Sequence, residues 1–160
     1  MFAFIGKSLR IAAVAAAGLL LLAGAANARP SAGVEPGRAD QGRITIEINK
    51  STQRMTVYVD GEKRHTFKVS TGKAGHVTPS GTFRVLVMKE MHYSRKYDNA
   101  PMPNSLFFTS VGHAIHATTA VRNLGRPASH GCIRLAPGDA KALYDLVESR
   151  GMRSVKIQIA

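Results

Sequence analysis

The most reactive side chain in this 160-residue sequence is its single cysteine, Cys132, within the segment Ser-His-Gly-Cys-Ile-Arg at residues 129–134. A thiolate is a far better nucleophile than a thiol, and a nearby imidazole is the commonest group to take the proton near neutral pH. Two histidines are candidates: His130 lies two residues before Cys132, and His116 lies sixteen residues before it. The pattern predicts a histidine-activated nucleophile, and proximity alone does not choose the base.

Two neighbours of Cys132 suit nucleophilic catalysis. His116 ends an apolar, strand-like stretch at residues 111–115, and a base on a rigid strand is well placed for preorganised chemistry. Gly131 leaves room beside the sulfur, so that backbone N–H groups can point at a developing oxyanion. Each good donor of that kind contributes about 3 kcal/mol to transition-state stabilisation.

Two other interpretations of the cysteine stay open at this point. Cys132 with His113, His116 and His130 offers the side-chain types of a zinc site, and His113-x-x-His116 has ligand-like spacing, although no second cysteine or acidic residue joins them. A small buried thiol in the core is the other alternative. The residues near Cys132 in the sequence are Gly, His and Arg rather than a run of apolar residues, which disfavours a core position.

Alternating patterns typical of half-buried β-strands dominate the rest of the sequence. Residues 44–48 and 55–59 alternate apolar and polar side chains, and Asp60-Gly61 after them is typical of a tight hairpin turn. A second tight turn is predicted at residues 78–81. Further strands are predicted at residues 66–70, 83–87, 106–108, 114–116 and 155–159.

Two segments depart from the strand pattern. Residues 137–149 begin with a proline, place four apolar side chains on one face and end before Gly151, which predicts an α-helix. Residues 90–105 carry two prolines and no sustained period, which predicts a lid, a binding loop or an ordinary connection. The predicted fold is mainly β with one or two helices.

The N-terminus predicts export. Residues 1–28 contain Lys7 and Arg10, an apolar run at residues 11–23 and a small-x-small cleavage pattern ending at residue 28, which is typical of a signal peptide. An uncleaved membrane anchor is the alternative, although the run is short for a bilayer span. Residues 29–42 predict a flexible leader. An exported protein lies in an oxidising compartment, where a lone cysteine has no intramolecular partner.

The charge of the chain predicts either binding to anionic surroundings or a surface charge that only keeps the protein soluble. The formal net charge is +12, and removing residues 1–28 takes away two basic residues and no acidic one, which leaves about +10. No basic run with interleaved aromatic residues is present, so nucleic acid is not an expected partner. An exported protein of this charge meets wall polymers and membrane surfaces instead.

Two segments in order resemble a known family. Ile115-His116, twelve residues from 117 to 128, and then Ser-His-Gly-Cys-Ile-Arg-Leu resemble the signature of the L,D-transpeptidase catalytic domain (YkuD-type). Upstream, Ser-Thr-Gly at residues 70–72 and Thr-Pro-Ser-Gly-Thr-Phe at residues 78–83 resemble the family's other recurrent segment. The resemblance covers residues 43–160 and implies a β-sandwich-like catalytic domain.

The resemblance also implies a reaction. A cysteine of this family attacks the carbonyl between the third and fourth residues of a peptidoglycan stem peptide, expels D-alanine, and passes the acyl group to an amine. The implied acceptor is another stem peptide or an outer-membrane or wall-anchored protein, and water in that role makes the enzyme an L,D-carboxypeptidase. No cofactor or metal is implied, a monomer is expected, and the implied compartment is the periplasm. A noncatalytic wall-binding module is the alternative, which the joint presence of His116 and Cys132 disfavours.

Site roles follow from the resemblance, residue by residue. Cys132 is the implied nucleophile and His116 the implied base. The remaining assignments are orientation of the imidazole by Ala117, oxyanion stabilisation through the backbone around His130 and Gly131, and substrate contacts by Arg134, Ser129 and Tyr93.

Overall fold

The computed structural model describes residues 42–160, which form two β-sheets and one α-helix. In chain order the elements are β1 (Ile44–Asn49), β2 (Arg54–Val59), β3 (Glu62–Lys68), β4 (Gly81–Phe83), β5 (Val87–Ser94), β6 (Ala100–Phe107), β7 (Ala114–Ala117), β8 (Ile133–Leu135), α1 (Pro137–Arg150) and β9 (Val155–Ile159). The predicted signal peptide and the leader up to residue 41 lie outside the described residues. Within residues 42–160, no helix has the length and apolar character needed to cross a bilayer.

The first sheet has five strands in the order β3-β2-β1-β9-β4. Strands β1, β2 and β3 are antiparallel neighbours, and both residues of the Asp60-Gly61 turn have positive φ (54° and 83°), as a tight hairpin requires. Strand β9 returns from the C-terminus to lie parallel to β1 and antiparallel to β4. The predicted strands at residues 44–48, 55–59 and 155–159 are therefore confirmed.

The second sheet has four strands in the order β5-β6-β7-β8, and it carries the residues of chemical interest. Strand β7 lies between β6 and β8, and all four of its residues are buried. Helix α1 packs against β6 and β7 and buries Leu143 and Val147. The helix begins with Pro137 in its first turn and ends at Arg150, one residue beyond the predicted end, and Gly151 follows as its cap with a φ of 82°.

Both sheets contribute to one hydrophobic core. Ile46 and Ile157 from the first sheet and Ile115 and Ile133 from the second are almost fully buried members of it. Alternation along β7 directs Ile115 into this core and His116 to the opposite face of the sheet. The core therefore holds rigidly the strand that carries His116.

The sequence predicted a loop at residues 90–105. The structure instead shows that most of this segment is an antiparallel hairpin of β5 and β6. Pro101 and Pro103 hid the strand, because proline is excluded from strands that are paired on both sides. Both prolines lie in the part of β6 that pairs only with β5, since β7 pairs with β6 only at Leu106 and Phe107. The missing N–H groups therefore interrupt no ladder on the β7 side.

Two further predictions are wrong. Residues 83–87 do not form one strand, because β4 ends at Phe83 in the first sheet and β5 begins at Val87 in the second. Residues 78–80 are not a turn, and the turn lies earlier, where the His76 N–H donates to the Lys73 carbonyl at 2.9 Å.

Candidate active site

A cavity of about 940 Å³ contains both residues of the predicted nucleophile–base pair. The β5–β6 hairpin, residues 111–113 and residues 116–120 form its walls, and Cys132 and Arg134 contribute from the segment around the start of β8. The second sheet thus supplies most of the cavity, and the loop before β8 brings the thiol to it.

The Cys132 thiol is partly buried in this cavity. Its Sγ lies 3.9 Å from the Gly112 carbonyl oxygen, a weak hydrogen bond, and it accepts a hydrogen bond from the Ala114 backbone N–H. Burial raises the pKa of the Cys132 thiol, and the Ala114 N–H and the Arg134 charge only partly oppose that effect. Burial therefore favours the neutral thiol over the thiolate in the free protein.

The His116 imidazole is buried and held in one orientation. Its Nδ1 lies 2.7 Å from the carbonyl oxygen of Ala117, and only 6% of the residue is exposed. Burial lowers the pKa of His116 to about 4, with Arg134 and His92 adding to the effect and the Ala117 carbonyl opposing it. A neutral ring that donates from Nδ1 to a carbonyl keeps an unprotonated Nε2. Because the contact uses the backbone of Ala117, it needs no polar side chain there.

The loop before Cys132 is braced from within by Ser129. The Ser129 hydroxyl donates to the Cys132 carbonyl at 2.5 Å and accepts the Gly131 N–H at 3.1 Å. This arrangement corrects two predictions. Ser129 is completely buried and does not line the cavity, so it is not placed to contact substrate. The Gly131 N–H is bonded inside the loop, so it is not available to an oxyanion.

A segment at residues 70–81, which overlaps the family-like residues 70–72 and 78–83, holds this loop from outside and is called the clamp below. The Thr78 hydroxyl donates to the Gly131 carbonyl at 2.9 Å and accepts the Gly72 N–H at 2.8 Å. The Thr71 carbonyl accepts the Ser129 N–H at 3.0 Å. A Cβ on Gly72 would collide with a backbone carbonyl of its own segment, so only glycine fits there. The two family-like sequence segments are therefore hydrogen-bonded to each other in the folded protein.

Gln53 supports the clamp and was not singled out from the sequence. It lies in the turn between β1 and β2, is 2% exposed and has a φ of 52°. Its Nε2 donates to Thr71 Oγ1 at 2.7 Å and to the Lys50 carbonyl at 2.6 Å, while its Oε1 accepts the Thr71 N–H at 2.9 Å. Glutamine in a hairpin turn is ordinarily exposed, so no sequence pattern marks this one as buried.

The His130 side chain is exposed and lies against the hairpin. Its ring stacks on Tyr97 at a centroid distance of 4.9 Å and meets the edge of His76 at 4.6 Å. The two candidate bases therefore differ in environment: His116 is buried with a fixed tautomer, whereas His130 joins the end of the hairpin to the loop that carries Cys132.

Arg134 and Tyr93, two predicted substrate contacts, both line the cavity. Arg134 is the parallel register partner of His116, so the two side chains share a face of the sheet. Its Nη1 donates to the Ala128 carbonyl at 3.4 Å. Tyr93 lies on β5 and is 55% exposed. Their positions suit contacts with a bound molecule.

The zinc alternative lacks its ligand arrangement. Among residues 42–160, no group of three or more His, Cys, Asp or Glu side chains is placed to hold a metal ion. His113 is instead engaged with Thr109, whose Oγ1 lies 3.0 Å from its Nδ1, and its ring stacks near Phe108.

Comparisons of sequence and of structure with known proteins all identify relatives of one family. The sequence-family model of the L,D-transpeptidase catalytic domain (YkuD) matches residues 43–157. YqjB of Bacillus subtilis, which is named as an L,D-transpeptidase, is 30% identical over 114 residues, or 64% of this chain and 65% of that protein. An L,D-transpeptidase from Mycobacterium smegmatis superposes with a TM-score of 0.66 at 26% identity, over 74% of this chain and 58% of that one.

A second solved structure supports the same fold. The L,D-transpeptidase from Stackebrandtia nassauensis has a TM-score of 0.65 at 29% identity, over 74% of this chain and 55% of that one. The chain thus covers less than two thirds of the length of each of these relatives. Since the family match extends over most of the sequence and includes both segments that build the site, the chain belongs to the L,D-transpeptidase catalytic domain family.

Proposed function

We propose that this protein is a cysteine-dependent L,D-transpeptidase acting on peptidoglycan stem tetrapeptides. One observation carries the proposal: Cys132 shares a cavity of about 940 Å³ with a buried His116 whose Nδ1 contacts the Ala117 carbonyl. That contact assigns the lone pair to Nε2, the atom a general base needs. Family membership supplies the reaction class.

The reaction begins from a neutral pair. The thiol proton passes to Nε2 of His116 as the Cys132 sulfur attacks the carbonyl of the diamino acid that precedes D-alanine. The tetrahedral intermediate collapses, His116 returns the proton to the leaving amine, and D-alanine departs from a thioester. An acceptor amine then attacks the thioester, loses a proton to His116 and restores the thiol. Because burial disfavours the charged form of each group, the proposed reaction starts from the neutral thiol and imidazole rather than from a preformed ion pair.

Stabilisation of the oxyanion falls to two backbone donors. The N–H groups of His130 and Cys132 have no acceptor among the described residues, whereas the Gly131 N–H is bonded to Ser129. We assign stabilisation of the oxyanion to the His130 and Cys132 N–H groups. Of the two predicted residues, this assignment retains His130 and omits Gly131. Each such donor is worth roughly a hundredfold in rate.

Mass spectrometry of stem tetrapeptides incubated with the protein tests this function. The wild type is expected to release D-alanine and form a dimer joined between two diamino acids, and Cys132→Ala is expected to form neither. His116→Gln serves as a second variant and should also lose turnover. A tripeptide without dimer would indicate an L,D-carboxypeptidase, and no product from any tetrapeptide would refute the enzymatic function.

The proposed setting is the periplasm, with the protein acting as a monomer on the wall. The acceptor is an amine of a second stem peptide or of a wall-anchored protein. A fusion of residues 1–42 to a reporter that is active only outside the cytoplasm should be active, and Leu20→Arg with Leu21→Arg should silence it because charge interrupts the apolar run. Equal reporter activity in both fusions would contradict export by this segment.

A further inference from the structure

The cavity around Cys132 is lined by more positive than negative side chains. Arg95, Lys96 and Arg134 contribute cations, and Asp98 contributes the one carboxylate among its lining residues. The ion pairs recorded within residues 42–160 join other side chains, so none of the three cations is neutralised by a carboxylate within the described part of the chain. The lining therefore presents an excess of positive charge to whatever enters.

Arg95 and Lys96 lie in the turn of the β5–β6 hairpin and line the same cavity as Cys132. The Lys96 Nζ is 5.6 Å from the centroid of the Tyr97 ring, and that ring stacks on His130, two residues from Cys132. Burial lowers the pKa of His113 in the cavity wall, and the Lys96 charge adds to this effect. The Lys96 charge thus acts on a side chain in the cavity wall.

The donor of the proposed reaction carries matching groups. A stem tetrapeptide has carboxylates on D-glutamate, on the diamino acid and on the terminal D-alanine, and amidation of the first two removes their charge with little change of shape. The planar fork of Arg and the point charge of Lys both suit carboxylates. We infer that Arg95 and Lys96 form a carboxylate subsite that selects stem peptides with free rather than amidated side carboxylates, an inference that rests on the proposed function.

Binding to the Cys132→Ala protein tests the subsite without requiring turnover. The dissociation constants of a free and an amidated tetrapeptide are measured by calorimetry at low salt. Two exposed charge pairs predict about fivefold tighter binding of the free peptide. Adding Arg95→Gln and Lys96→Gln should bring the ratio close to one by weakening only the free peptide. Lys89→Gln, an exposed cation on β5 that does not line the cavity, should keep the full ratio.

The outcomes separate this inference from the proposed function. Equal affinity for the two peptides, or a preference that survives in the double variant, overturns the subsite even if the wild type releases D-alanine. A preference that depends on Arg95 and Lys96 supports the subsite, and if the wild type then releases no D-alanine, only the transpeptidase function fails. Thermal unfolding of each variant verifies that the surface changes leave the fold intact.

Discussion

At the scale of the residue, burial favours the neutral forms of both His116 and Cys132. Burial lowers the pKa of His116 and raises that of Cys132, so the charged form of each group is disfavoured. The Ala117 carbonyl selects the tautomer, and its backbone origin makes the contact independent of the side chain at residue 117.

Burial of a neutral His116 predicts a pH-dependent stability. The folded pKa of about 4 lies below the ordinary value of 6.5, so the unfolded chain binds the proton first. The stabilisation that comes from keeping His116 neutral is complete above pH 6.5 and is lost as the pH falls to about 4. The free energy of unfolding changes by about 3 kcal/mol over this range. Urea unfolding of wild type and His116→Gln at pH 7 and pH 4.5 measures it. Parallel losses in both proteins would contradict the prediction.

The backbone conformation of Gly131, next to Cys132, predicts that a side chain at this position is destabilising. Its φ is 111°, and a Cβ would lie 2.9 Å from the His113 ring. Gly131→Ala should therefore cost about 1–3 kcal/mol of stability and displace the Cys132 loop, lowering D-alanine release. Gly138→Ala, within α1 and with open space around its Cβ, should leave the melting temperature unchanged or raise it. Similar effects at the two positions would refute the steric argument.

At the scale of the element, the segment at residues 70–81 acts as a clamp rather than as part of the cavity. It pairs with β8 through Ser70 and Arg134, and it bonds to the loop through Thr71 and Thr78. Gln53 joins this clamp to the turn between β1 and β2. The first sheet thereby helps to position Cys132, which lies in the loop before β8 of the second sheet.

Loss of the Gln53 contacts should lower turnover more than substrate binding. Gln53→Met keeps most of the volume but leaves the buried Thr71 N–H without an acceptor, which costs about 2–3 kcal/mol of stability. Because the clamp positions Cys132 and does not line the cavity, kcat should fall while KM changes little. Thr52→Ala, exposed in the same turn, is the control. A rise in KM at constant kcat would show that Gln53 acts in another way.

At the scale of the whole molecule, the C-terminal strand closes the fold. Strand β9 lies between β1 and β4 and buries Val155, Ile157 and Ile159. The Ala160 N–H donates to the Ile48 carbonyl, and the Ala160 carbonyl accepts the Lys50 N–H. The first sheet is complete only after the last residues of the sequence are in place.

Deletion of residues 155–160 should prevent folding. Removing three buried aliphatic side chains loses about 1.5–3 kcal/mol each, which approaches the entire stability of a small domain, and β1 and β4 would also lose their shared neighbour. Near-ultraviolet circular dichroism should show no fixed tertiary structure. Gln158→Ala, half-buried on the same strand, should fold normally. A cooperative melt of the truncated chain would contradict the prediction.

Local patterns in the sequence determined much of this protein. The strands at residues 44–59 and 155–159, the Asp60-Gly61 turn and helix α1 follow from periodicity and turn chemistry that act within a few residues. The predicted nucleophile and its candidate bases follow from residue types and spacing around Cys132, and the family from two segments in order.

Only the tertiary structure decided which groups meet and in what state. Prolines in β6 hid the hairpin, because whether a proline interrupts a ladder depends on which neighbour pairs there. The buried bracing by Ser129 and Gln53 depends on contacts between segments far apart in the chain. The neutral state of Cys132 and His116 also required the fold, since desolvation depends on the surrounding elements rather than on adjacent residues.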